Sequence, residues 1–204
     1  MTPHEIRGNA VAKRAFEVAM VGDLRIMLVG PIGTSKTTLR EAFPSVQSAE
    51  RETCACGHFQ DMTRECHCTE RAIIRWYRRF ERDVRGFDIV LECCAAAARE
   101  LLCRNMNTEH DTELIYARVA AAREFGKAHT SIELKDDLAV RTAEMVLRRL
   151  ALTAGQWQRV LRTARAIANL DHSAELKAKH VAEAVQYRAD VTMYNLDRLG
   201  LKAA

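Results

Sequence analysis

A short apolar run, Arg25-Ile26-Met27-Leu28-Val29, stops at Gly30-Pro31 and gives way to Ile32-Gly33-Thr34-Ser35-Lys36-Thr37-Thr38. The run is β-branched enough to read as a strand, and residues 37–42 read as a helix. Strand, tight glycine-containing loop and helix in that order leave few options. The helix must pack back on the strand, so the front of the chain is expected to be α/β.

The loop between them approaches G-x-x-x-x-G-K-[ST], which cradles phosphates on successive backbone N–H groups. Gly30, Lys36 and Thr37 match, and Ser35 stands where the second glycine would be. In such a loop Lys36 reaches the β/γ-phosphates and Thr37 holds Mg²⁺. The candidate contacts are Gly30, Gly33, Thr34, Ser35, Lys36, Thr37 and Thr38. Glycine permits positive φ and close backbone approach, so Ser35 brings a Cβ that strains the loop or displaces the phosphate. A chance Gly/Ser/Thr turn before a helix is the alternative.

The rest reads as mostly helical. One helix starts near Asn9, with Val11, Ala15, Val18 and Ala19 at helical spacing, and ends at Gly22-Asp23. Residues 44–53 are polar and featureless, 70–85 form a basic helix, and 87–92 form a second and last strand. Helices then follow over 95–104, 112–126, 135–150, 154–170 and 179–189, with a polar linker at 104–111 and a turn at Asp171-His172-Ser173. The organisation is an α/β front, 1–104, and an all-α back, 105–204. With 204 residues, 48% hydrophobic and 28% charged, the chain is neither disordered nor fibrous. It has no run near the roughly 18 apolar residues that span a bilayer. Met1-Thr2-Pro3-His4-Glu5 does not open a signal peptide, so a cytoplasmic location is expected.

Seven cysteines in such a compartment point to metal ligation or buried thiols rather than a disulfide framework. Cys54-x-Cys56 and Cys66-x-Cys68, within the 54–68 segment, make two clips of the kind a tetrahedral Zn²⁺ requires, with His58 and His67 as substitutes. Four filled positions mean a structural zinc with no open catalytic site; four thiols without metal is the other reading. Cys93, Cys94 and Cys103 lie in apolar surroundings and read as buried small hydrophobes.

Arg71, Arg75, Arg78, Arg82 and Arg85 recur every three or four residues and share one helix face, with Arg79 and Trp76-Tyr77 among them. Either this is a phosphate-binding surface for nucleic acid or for a neighbour's nucleotide, or it is a solvated face balanced by Glu70, Glu81 and Asp83. The net charge of +4 agrees with an anionic partner, whereas the 6% aromatic content argues against an extensive base-stacking surface. Further back, Arg148, Arg149, Arg159, Arg162 and Arg165 follow; Arg162 and Arg165 are expected to face solvent or a partner, with Val160, Leu161, Ala164 and Ile167 inward.

Several segments in the same order resemble one family. They are Ile6-Arg7-Gly8-Asn9-Ala10-Val11-Ala12-Lys13-Arg14-Ala15, Met27-Leu28-Val29-Gly30-Pro31 with its loop, Cys54-Ala55-Cys56-Gly57-His58-Phe59 and Arg64-Glu65-Cys66-His67-Cys68-Thr69. Phe87-Asp88-Ile89, Arg118–Glu124, Arg159–Ala168 and His180–Arg188 follow. The chain resembles the Mg-chelatase-like AAA+ ATPases of the ComM type over nearly its whole length, and the cysteine pairs favour the ComM branch over the chelatase subunits. The resemblance implies the remnant of an AAA+ P-loop core with few parallel strands, followed by an all-α lid. It also implies ATP with Mg²⁺ at the loop, and a family role in DNA processing. Partners implied are further copies of the chain or a full-length AAA+ relative, and DNA.

The chain departs from that pattern where hydrolysis is concerned. About ten residues, 44–53, replace the middle of the core, and no apolar run ends in Asp-Glu; Leu91-Glu92 is the nearest imitation. The sensor-1 asparagine falls at Glu52, the sensor-2 arginine near Gly155, and the arginine before the Phe87 strand meets Gly86 beside Arg85. The family's N-terminal domain has no counterpart. The expectation is a nucleotide-binding protein poor or inactive in hydrolysis, with no catalytic residue assigned. The alternative is a zinc-stapled binding or assembly module that uses its arginine face. The shortened core also predicts two adjacent parallel strands, with the 25–29 strand left open along one edge for helices or another subunit to cover.

Overall fold

The computed structural model describes residues 9–94 and 112–192, together with Pro3 and Ile6. The expected helix at 95–104, the linker at 104–111 and Cys103 lie outside the described residues.

The fold is mostly helical around one small parallel sheet, the expected class. Helix α1 (Ala10–Gly22) leads into β1 (Ile26–Val29), the loop and α2 (Lys36–Ala42). Then come β2 (Ser48–Arg51), α3 (Glu70–Asp83) and β3 (Ile89–Glu92). Helices α4 (Thr112–Ala128), α5 (Asp137–Leu150), α6 (Ala154–Leu170), α7 (Ala178–Gln186) and the single turn α8 (Ala189–Thr192) complete the described chain.

Strand order is β2-β1-β3, all parallel. Ile26 to Val29 pair with Ser48 to Arg51 on one side and with Ile89 to Glu92 on the other. The adjacency of β1 and β3 is as expected, but the bare edge is not: β2 covers it. Ser-Ala-Glu-Arg shows no apolar alternation because this strand is half-buried throughout and is held by backbone hydrogen bonds to β1. Nothing in its side chains announces a strand.

β1 is buried on both faces, and period-two alternation divides it cleanly. Ile26 and Leu28 join Phe16, Leu39, Phe43, Ile89, Leu91 and the helical half in one core. Met27 and Val29 face a second cluster under α3, with Ile73, Tyr77, Phe80 and Val84. Ile73, Tyr77 and Phe80 sit one helical turn apart on α3, which is why this basic helix packs at all; each fully buried aliphatic or aromatic side chain contributes about 1.5–3 kcal/mol. Thr69 starts α3 by accepting from the Ala72 amide.

α1 packs against α4 and α6, so helices from both ends of the described chain share the larger core. Glu17, buried on α1, is held by Arg118 of α4 at 2.6 Å. Val11 lies outside the buried stripe and is exposed. α6 opens with a reciprocal cap: Thr153 accepts from the Gln156 amide while the Gln156 side chain accepts from the Thr153 amide. Arg165 departs from expectation. It is buried and caps the far end of α6, donating to Asn169 Oδ1 at 3.0 Å and to the carbonyls of Ser173 and Ala174. No helix among the described residues is long and apolar enough to cross a membrane.

Candidate functional site

The 30–38 loop runs from the C-terminal end of β1 into α2. Gly30 must be glycine for space, because a Cβ there would meet the Cys93 carbonyl at 2.3 Å. Gly33 must be glycine for conformation: its φ is +88°, with nothing near its missing Cβ. Ser35 also adopts the left-handed region, at φ 59° and ψ 20°. The loop keeps the backbone turn that glycine normally provides and carries its cost in a serine. The Lys36 ammonium is buried in the loop, donating to the carbonyls of Gly30 at 3.0 Å and Pro31 at 2.7 Å, beside Thr34 Oγ1 at 3.4 Å. Thr34 Oγ1 in turn donates to Pro31 O at 2.9 Å. Thr37 is exposed in the first turn of α2, and Thr38 is half-buried there.

Two neighbours hold the loop in place. The Gly30 amide donates to Arg51 O at 3.1 Å, extending the β1–β2 ladder, and the Ile32 amide donates to Gly57 O at 3.0 Å. Gly57 belongs to the cysteine segment, so the loop and that segment touch.

The four cysteines expected as ligands come together. Cys54, Cys56, Cys66 and Cys68 all have their sulfurs within 4.8 Å of one another. Cys54 and Cys56 are 3.3 Å apart, Cys54 and Cys66 3.7 Å, and Cys56 and Cys66 3.6 Å. A tetrahedral Zn²⁺ with Zn–S of about 2.3 Å has sulfur–sulfur edges of about 3.8 Å, so the donor set fits a metal of that kind. The Phe59 amide donates to Cys54 Sγ at 3.3 Å. Hydrogen bonding from the His58 backbone, then from Cys54, lowers the Cys56 thiol to about 6, whereas burial pushes Cys66 up to about 12. His58 turns to Asp61 at 3.1 Å and His67 is exposed, and neither joins the cluster. Phe59, Cys66 and Cys68 pack against the aromatic side of α3, which seats the segment on the fold.

Cys93 is the buried small residue expected, its thiol pushed up to about 12 chiefly by burial. Cys94 is exposed instead.

Opposite that aromatic side, Arg71, Arg75, Arg78 and Arg82 are all exposed on α3, and Arg85 is exposed just beyond. Arg79 lies 4.0 Å from Asp83, which also binds Arg51.

The first turns of α6 dock at the other end of the sheet from the loop. Asp88, buried just before β3, accepts from Arg159 at 3.4 Å, from Arg162 at 3.1 Å and from the Arg25 amide at 3.1 Å. Gly155 lines a cavity there with Arg85, Arg159 and Arg188. Glu52, the other substituted position, is exposed after β2. Sequence reasoning gave Asp88 no role of its own and turned Arg165 outward; a lone acid and one arginine of several carry no periodic signal.

A model of magnesium chelatase subunit ChlI matches residues 3–53, and one of the ChlI C-terminal region matches residues 109–188. A curated relative, "Uncharacterized protein YifB" of Escherichia coli (strain K12), is 27% identical over 187 residues, covering 83% of this chain. The chain spans 36% of that relative's length. The first match contains the loop and β2, the second contains α4 to α7, and together they support placing the chain in the Mg-chelatase-like family.

Proposed function

We propose that this chain binds ATP with Mg²⁺ at the 30–38 loop, as a ComM-type AAA+ protein that hydrolyses poorly. The loop geometry carries the reading. Gly30, Gly33 and Ser35 hold the turn, and Lys36 and Thr37 follow it directly from a strand into a helix. The family matches support it on both sides. Lys36 is stored on the loop's own carbonyls, and phosphate oxygens are better acceptors for an ammonium than those carbonyls. Poor hydrolysis follows from Glu52 and Gly155 at the sensor positions and from the missing Asp-Glu run, since each such group stabilises the transition state. In this reading residues 1–104 are the shortened core with its 54–68 insert, and 105–204 are the lid. The protein works in the cytoplasm with further copies or a full-length relative, in DNA processing. Zn²⁺ occupies Cys54, Cys56, Cys66 and Cys68 as a staple.

The test is thermal unfolding with and without ATP·Mg²⁺, on the wild type and Lys36→Ala. Ligand at 100 times its dissociation constant adds about 2.7 kcal/mol, a shift of several degrees for a chain this long. A shift that Lys36→Ala abolishes upholds the reading; no shift at millimolar ATP refutes it.

One observation favours a second reading, a non-enzymatic binding module. Four arginines one turn apart, Arg71, Arg75, Arg78 and Arg82, stand exposed on α3. DNA binding that weakens with salt and ignores Lys36→Ala would support it.

A further inference from the structure

β2 brings a carboxylate to the loop that no sequence pattern announces. Its third residue, Glu50, pairs in register with Leu28. From there its side chain reaches the first turn of α2, where the Thr37 hydroxyl donates to Oε2 at 3.0 Å and lies 3.2 Å from Oε1. Arg40, one turn further along α2, holds Oε1 at 3.4 Å. Thr37 and Arg40 also line an open groove beside β2, so water and ions have access to this corner.

A small divalent cation such as Mg²⁺ takes oxygen ligands in octahedral array. It keeps several waters and is bound through one or two carboxylates plus substrate phosphates. Loops of this kind hold it with the hydroxyl after the lysine and an acid from a neighbouring strand. Such an acid ordinarily ends an apolar run, and this chain has no such run ending in Asp-Glu. Ser48-Ala49-Glu50-Arg51 is polar, yet pairing with β1 puts its acid against Thr37. The direction of the hydrogen bond matters. Thr37 donates its proton to Glu50, which leaves the hydroxyl lone pairs free for a cation.

We propose that Glu50 and Thr37 form the protein half of a divalent-cation site that completes itself on nucleotide phosphates. The proposal rests on the nucleotide reading above. Thr37 supplies an oxygen ligand. Glu50 orients that hydroxyl and supplies negative charge, directly or through a metal-bound water. Arg40 is the counter-charge that Glu50 carries when no cation is present. Glu50 is thus a positioning residue for the cation.

The test measures affinity for a fluorescent ATP analogue with EDTA and with Mg²⁺, on the full chain and on Lys36→Ala, Glu50→Gln, Thr37→Ala and Arg40→Gln. Mn²⁺ with a non-hydrolysable analogue, followed by electron paramagnetic resonance, reports the metal directly. Mg²⁺ should tighten wild-type binding, and losing Glu50 should lower Mn²⁺ affinity about tenfold or more, the usual effect of removing such an outer-shell partner. Glu50→Gln should keep the EDTA affinity and lose that gain, with a weakened Mn²⁺ signal. Arg40→Gln should enlarge the gain, because it frees Glu50 of its counter-charge, whereas a merely structural ion pair would leave the gain unchanged. If Glu50→Gln does not fold, Thr37→Ala carries the same expectation. A Glu50→Gln protein, or in its place a Thr37→Ala protein, with the full Mg²⁺ gain overturns the assignment and leaves the nucleotide reading intact. Nucleotide binding without any Mg²⁺ gain in the wild type does the same. No binding by the wild type in either condition overturns both.

Discussion

The Gly57 carbonyl accepts the Ile32 amide at 3.0 Å, and the Ile32 side chain lies flat against the glycine. A Cβ on Gly57 would stand 2.4 Å from Ile32 Cδ1, and Gly57 has φ +80°. Gly57→Ala should therefore destabilise the fold by about 2 kcal/mol, combining backbone strain and overlap. Ile32→Ala in the same chain should recover the overlap part and leave the strain. A thermal double-mutant cycle that is strictly additive would refute the contact.

Ser35 offers the opposite change. Its φ of 59° costs a serine about 1 kcal/mol that glycine does not incur. Ser35→Gly should raise the melting temperature by about 2–4 °C and tighten ATP binding, checked by scanning calorimetry and a nucleotide titration.

Each chain should carry one zinc, measured by plasma emission after gel filtration. Cys54→Ser or Cys66→Ser should abolish it. Chelation should loosen the 54–68 segment to hydrogen exchange first, with the Ile32 amide following because its acceptor is Gly57.

His180 makes stability pH-dependent. It is fully buried, takes the Lys177 amide on Nδ1 at 3.0 Å and stands 3.4 Å from Asp171. Burial lowers its value below 6.5, although Asp171 opposes the shift. The unfolded chain then takes up a proton that the folded chain refuses. The stability is fully present above pH 6.5 and is lost as pH falls below it. Melting temperature should fall between pH 7 and pH 5.5, and His180→Asn should flatten that slope.

Asp88 joins the sheet to α6 through Arg159 and Arg162. Removing a buried partner of this kind costs about 3–5 kcal/mol, so Asp88→Ala should shift urea unfolding markedly. A shift under 1 kcal/mol would mean that the arginines find water instead.

The helices were legible wherever apolar spacing was regular. The expected spans 70–85 and 154–170 meet α3 and α6 almost to the residue, α6 through Val160, Leu161, Ala164 and Ile167 on its inward side. The cysteine cluster was legible too, because two close pairs need little from the fold to meet. β2 was not: an edge strand held by backbone bonds carries no side-chain signature, and Glu50 was hidden with it. Arg165 was misjudged for a related reason. A helix-face argument cannot see the Ser173 and Ala174 carbonyls that return to bury it.

The seating of α1 has a consequence for the order of events in folding. Arg14 bonds Glu183 across 169 positions, and Glu17 meets Arg118 across 101. Contacts so distant in sequence close slowly. During synthesis α1 emerges well before the helices that pack on it. Until then the side of α1 that meets α4 and α6 lacks its cover, and that interval is when the nascent chain is most exposed to aggregation.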